Sequence, residues 1–268
     1  MKLILALFLI IISAPIYAAR GLPDDCPTQK TQHLGREHRG RPIPWLISLD
    51  PNTFNNNEFK TTPTGILIDS SWKNAVYDFA LKNVRHPSWG INHSERNYQV
   101  TKILAEKEKV EIDTDILFAA SFLHDLGGLK NFEIIGIDHA VRSAELAEKL
   151  LKDSHFPMEK WPVVKEIILG HTYYTGIPTN KVAQLFRDAD VLDFLGTIGV
   201  ARILAITQEE GTSDSTLRPT IDILKNFSKS MSSKCISEAC KEMAKPRQLE
   251  IVRFLQLLNS ETFEGKSI

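Results

Sequence analysis

The sequence predicts an all-α domain preceded by an irregular N-terminal arm. Three observations carry this. From Ser70 onward apolar residues recur at helical spacing, capping residues precede several of the runs, and no strand-rich block, internal repeat or glycine-rich phosphate loop interrupts them. Residues 20–69 read differently. Prolines at 23, 27, 42, 44, 51 and 63 and the run Asn55–Asn57 punctuate them, and only "PWLISLD" offers a short strand or apolar anchor.

Trp72, Val76, Phe79 and Ala80 mark a first helix, with Ser70 or Ser71 as its cap. A second begins near Asn92, carries Tyr98, Val100, Ile103 and Leu104, and ends in "EKEK". "DTDILFAASFLHDLGG" follows with Asp113 as a natural N-cap and an almost unbroken apolar middle, which predicts a central helix. There His124 and Asp125 read as a polar last turn and Gly127 as the stop. "DHAVRSAELAEKLLK", "MEKWPVVKEIILGH" and "NKVAQLFRDADVLDFLG" give three more amphipathic helices. "GVARILAIT" leads into a polar loop, Gln208 to Ser215, and two helical stretches close the chain, Leu217–Lys229 and Lys234–Leu258. The expected organisation is a leader over 1–19, the arm over 20–69 and a helical domain over 70–260.

The 268 residues are 43% hydrophobic and 24% charged, enough for a real core. A net charge of −1 argues against a nonspecific nucleic-acid binder, which needs a basic excess to neutralise phosphates. The basic run "REHRGR" at Arg36–Arg41 reads as a solvated loop. "MKLILALFLIIISAPIYAAR" reads as a secretory signal: Lys2 supplies the positive start, Leu3–Ile12 the apolar centre, and cleavage fits after Ala18 or Ala19. The stretch is too short for a span of about 20 residues and is broken by Pro15, so a periplasmic or secreted protein is expected. Export would place three cysteines in an oxidising compartment. Cys235 and Cys240 can bridge if the chain bends between them, but not on one continuous helix; Cys26 is left over.

The candidate chemistry lies in six side chains on five separate predicted helices. His93 opens one helix, His124 and Asp125 close the next, His139 sits in "GIDHAVRSA", His171 ends "IILGH", and Asp190 lies in "FRDADVLDFLG". Imidazoles and carboxylates meeting inside a bundle suit a divalent transition metal: Mn, Fe, Co, Ni or Zn. Each also has a plainer reading, such as His171 capping its helix through the dipole. Asp193, three residues beyond Asp190, suits a supporting role, whereas Asp188 points elsewhere and suits a salt bridge. His33, His38, His86 and His155 read as ordinary loop residues.

The order His, His-Asp, Asp resembles the HD-domain superfamily of metal-dependent phosphohydrolases. "HSER" is similar to its first-helix motif, "FAASFLHDLG" to its central helix and "DADVLDFLGTIGVAR" to its closing aspartate helix. The likeness spans about residues 85–258, and the tail "AKPRQLEIVRFLQLLNSE" resembles the small HD nucleotide pyrophosphohydrolases. The resemblance implies an HD-type helical bundle with His93, His124, Asp125 and Asp190 as primary ligands. In members with a second metal, His139 and His171 would complete it, so one or two ions are expected. It also implies a small phosphorylated substrate, a phosphoester or nucleotide, attacked by metal-activated hydroxide. Asp125 would share in base catalysis, and His139 and His171 are acid candidates if one metal binds. Arg96 is the first choice to meet phosphate charge, with Lys130 and Arg202 as seconds. Tyr173 and Tyr174 would line the pocket, stack on a base or pack half-buried. The stretch "LGGLKNFEIIGIDHA" departs from nucleotide-hydrolysing members, with Glu133 displaced and only Lys130 basic. It also resembles HD-fold hydratases of cyanamide, and some six-ligand relatives hold two irons and activate oxygen. A non-catalytic, ligand- or partner-binding scaffold is the remaining alternative.

Overall fold

In the computed structural model, residues 60–209 and 216–268 are described. They fall within one unit, Asn57–Ile268. The signal segment, "PWLISLD", Cys26 and "REHRGR" lie outside the described residues.

Two short antiparallel strands come first, β1 (Lys60–Thr61) and β2 (Leu67–Ile68), with Lys60 opposite Ile68. Nine α-helices follow among the described residues: α1 (Ser71–Asn83), α2 (Ile91–Glu108), α3 (Thr114–Leu123), α4 (His139–Asp153), α5 (Trp161–Gly170), α6 (Lys181–Asp193), α7 (Gly196–Glu209), α8 (Arg218–Ser230) and α9 (Glu238–Glu261). The all-α expectation holds. None of these helices is long and apolar enough to cross a membrane.

Capping chemistry sets most helix starts. Ser70 accepts from the Lys73 amide, Asp113 from Asp115 and Ile116, Asp138 from Ala140 and Val141, Asn180 from Val182 and Ala183, and Ser237 from Cys240. The apolar middle of α3 is central, as its pattern predicts. Leu117 to Leu123 are all buried, and Phe118 and Phe122 are among the largest fully enclosed side chains. Each such side chain contributes roughly 1.5–3 kcal/mol by leaving water. Trp72 meets Phe118 edge-on, so α1 is keyed to α3.

Two local outcomes differ from expectation. Residues 60–68 lie in the stretch read as an irregular arm, yet Thr62, Ile66 and Ile68 are buried. The buried carboxylate of Glu95 on α2 explains this: Thr62 Oγ1, the Thr64 amide and Tyr77 OH all donate to it. The last helix starts at Glu238, not Lys234, because Ser237 caps it and a 3-10 turn (Met231–Lys234) precedes it. That bend places Cys235, in extended conformation, 5.5 Å (Cα to Cα) from Cys240, and the two form a disulfide. Closing so small a loop is worth about 2 kcal/mol in the chain-entropy account. Reduction, or Cys235→Ser with Cys240→Ser, should therefore lower Tm by roughly 4–8 °C without loss of helix signal, read by thermal melts with and without reductant.

Candidate metal centre

α3 ends at Leu123, one turn earlier than the glycines suggest. His124 caps it, Asp125 sits in the turn, and Leu126–Gly128 form a 3-10 turn. Gly127 is needed for proximity: a Cβ there would collide with the carbonyl oxygen of His139 and with Arg142. Its amide donates to Ser143 Oγ at 2.8 Å. The first turn of α4 thus lies directly on the His-Asp turn and brings His139 to it.

All six sequence-predicted donors converge. His93 Nε2 and His124 Nε2 are 3.2 Å apart, and Asp190 Oδ1 is 3.3 Å from His93 Nε2. His139 Nε2 and His171 Nε2 form a second pair, also 3.2 Å apart. Asp125 stands between the pairs. Its Oδ2 lies 3.4 Å from His93 Nε2 and 3.3 Å from His124 Nε2, while its Oδ1 lies 3.6 Å from His139 Nε2 and 3.3 Å from His171 Nε2. Each carboxylate oxygen therefore faces a different pair of rings.

The rest of each ring fixes which nitrogen faces inward. His124 Nδ1 donates to Ser121 O at 3.0 Å and His171 Nδ1 to Ile168 O at 2.6 Å. His93 Nδ1 donates to Asp193 Oδ2 at 2.7 Å. Tyr174 OH donates to Asp138 Oδ2 at 3.2 Å, leaving its oxygen to accept from His139 Nδ1 at 3.1 Å. With every Nδ1 carrying the proton, four Nε2 lone pairs point at one another and at two carboxylates. Lone pairs 3.2 Å apart repel unless a cation lies between them, so the donor set fits divalent ions.

The charges agree. Burial and Arg202 disfavour a charged His93, yet hydrogen bonds to Asp125, Asp190 and Asp193 push it up to about 9. Burial raises Asp125, but His124, His171 and His93 hold its carboxyl well below the usual range. Asp190 is lowered against its own burial by His93, His171 and Arg202. Before an ion binds, the surroundings of His93 thus favour a second proton on its Nε2, a positive charge that a divalent ion would replace, whereas burial and His171 push His139 down.

Other expectations need correction. Arg96 does not face the cage. Its Nε and Nη2 donate to Asp193 Oδ1 and Oδ2 at 2.7 and 2.9 Å, behind the His93 ring, so the fork is committed to a supporting carboxylate. Arg202 is buried beside it: Nε donates to Ser88 O at 2.8 Å, and Nη1 forms an ion pair with Asp193 Oδ2 at 3.0 Å without hydrogen-bond alignment. Lys130 is exposed just beyond the 3-10 turn. Asp188 makes no salt bridge among the described residues; it accepts the amides of Ile236 and Ser237 at 2.7 and 2.8 Å. With Cys235 and Cys240 it also forms a metal-like cluster, but the disulfide closes it.

Tyr174, expected as pocket lining, instead orients His139, and two contributors escaped the sequence reading altogether. Arg187 donates to Thr175 O, Gly176 O and Tyr173 O, holding the loop that carries Tyr174. Asn97, one turn after His93 on α2, reaches the first ring pair. Its i, i+4 spacing from His93 is the signal that could have found it.

A helical bundle whose helix ends deliver four imidazoles and two carboxylates to one point defines a class of metal-binding α proteins. Residues 90–195 match the family model of the HD domain. Among solved structures, a Lactobacillus plantarum protein is 19% identical, with a TM-score of 0.54, covering 72% of this chain and 98% of its own. A Bacillus thuringiensis HD-superfamily hydrolase is 21% identical, with a TM-score of 0.51, covering 71% and 94%. Bacillus subtilis YpgQ in complex with ADP is 15% identical, with a TM-score of 0.53, covering 71% and 94%. At these identities the likeness is one of fold. A Clostridium beijerinckii protein called uncharacterized is 26% identical over 97 residues; the match covers 36% of this chain and 59% of that relative's length.

Proposed function

We propose that this chain is a divalent-metal-dependent hydrolase of a phosphoester or nucleotide, working with two ions. The observation that carries the reading is the placement of Asp125 between two histidine pairs, one oxygen toward each. His93, His124, Asp190 and Asp125 Oδ2 would hold one ion; His139, His171 and Asp125 Oδ1 would hold the other. When bound, such ions supply Lewis acidity and acidify water at neutral pH. The chain's own residues orient the donors through Asp193, Tyr174 and two helix carbonyls, and Phe186 walls the His124 ring edge-on. With Arg96 and Arg202 committed to Asp193, Lys130 is the one of the three expected cations left to approach a substrate. The fold shared with YpgQ, solved with ADP, puts nucleotides on the substrate panel.

A second reading follows from the same two arginines. A six-donor cage without a free guanidinium also serves chemistry that needs no phosphate clamp, namely hydration of a small nitrile or oxygen activation by two irons. The signal-like leader, together with the Cys235–Cys240 bridge, supports action outside the cytoplasm.

Protein purified with its native metal should carry two ions per chain and turn over at least one phosphomonoester, phosphodiester or nucleotide with Mn, Co or Ni. Chelation should abolish turnover, and the metal restore it. Two irons with no phosphate turned over would move the assignment to the second reading. A chain that binds no ion would end both.

A further inference from the structure

Asn97 is fully enclosed, at 0% exposure, on the inward face of α2 one turn beyond His93. Its Nδ2 lies 3.2 Å from His93 Nε2 and 3.4 Å from His124 Nε2, which are themselves 3.2 Å apart. The three atoms form a nearly equilateral triangle. Neighbouring ligands about 2.1–2.3 Å from a six-coordinate ion lie about 3.0–3.3 Å apart, so the end of the amide stands where a third donor of one octahedral face would stand.

The other end of the side chain, Oδ1, is buried with no hydrogen-bond partner among the described residues. A carboxamide turned by 180° about its last bond exchanges nitrogen and oxygen without displacing a neighbour. One end goes unmet by protein in either orientation, so the inner end decides between them. An inward nitrogen has no lone pair for a cation and competes with it for the ring nitrogens. An inward oxygen completes the donor set.

We propose that Asn97 Oδ1 is a ligand of the ion held by His93, His124, Asp125 and Asp190. The inference rests on the metal-binding reading above and extends it by one donor. Two nitrogens and three oxygens suit ions that accept five or six ligands, Mn, Fe, Co and Ni, over tetrahedral Zn.

The test is a cobalt titration of the full chain, read by chelator competition and by the visible absorption of bound cobalt, neither of which depends on turnover. Wild type, Asn97→Leu and Asn97→Asp are compared, with Asn97→Ala as the variant that cannot clash should leucine not fold. Removing the amide should leave two cobalt ions per chain, one bound about 10- to 100-fold more weakly, with stronger absorption as its coordination number falls. Asn97→Asp, which keeps an oxygen, should restore affinity. If wild type binds two ions and the leucine or alanine variant matches it in affinity and spectrum, the amide is packing and this inference fails alone. If wild type binds none, the metal-binding reading fails with it.

Discussion

Asp125→Ala is expected to cost both ions at once. Each of its oxygens faces a different histidine pair at 3.3–3.6 Å, so no other single side chain among the described residues serves both positions. Losing an outer partner of a metal ligand typically weakens binding 10- to 100-fold, and loss of the shared ligand should exceed about 100-fold at both positions. Turnover should fall with occupancy. His139→Ala is the informative companion, since it removes one donor from one pair and should leave the other ion in place. Metal counting on the two purified variants, with circular dichroism to show retained helix, checks this. An Asp125→Ala protein that still holds one ion tightly would show that the carboxylate serves a single position.

Asp193→Ala should be the most destabilising change near the site. The carboxylate is buried and receives His93 Nδ1, the Arg96 fork and Arg202. Its removal leaves the Arg202 guanidinium, only 2% exposed, with no ion-pair partner among the described residues. Breaking a buried pair from one side costs about 3–5 kcal/mol, which corresponds to a Tm loss of roughly 6–20 °C in a domain of this size. Burial would raise the Asp193 carboxyl, but Arg202, His93 and Arg96 hold it far below the usual range. A depressed carboxyl stabilises the fold above its unfolded pKa of about 3.9, and that contribution fades only as pH falls toward the folded value. The gap between wild type and Asp193→Ala should therefore stay constant from pH 5 to pH 7, to be read by melts across that range. A gap that closes as pH falls toward 5 would show that Asp193 is not held ionised.

Much of this centre was legible in the sequence because its donors are chemically distinctive and sit at helix ends. Four histidines and two aspartates spread over five amphipathic runs have few other reasons to occur in that order. Direction was not legible. Arg96 lies three residues from His93, near enough to suggest a shared task, yet it turns to the far side of the ring, where Asp193 waits from a helix nearly a hundred residues on. Asn97 lies four residues from His93 and turns inward, but an amide in a helix carries no charge or pattern to mark it. Tyr174 was weighed as pocket lining and proved a hydrogen-bond link to Asp138. The β1–β2 ribbon escaped because two-residue strands show no alternation, and what holds them is a carboxylate on α2. The bend at Cys235 depended on whether Ser237 or Lys234 opened the last helix, and the cap decided it.

The tie between Glu95 and residues 62–64 bears on how the protein can be cut down for study. A recombinant form begun at residue 70, where the helices start, would strand a sealed-in negative group two positions from His93, keeping only the phenol of Tyr77 to answer it. Trimming should therefore stop short of Lys60, so that the ribbon travels with the helix it serves.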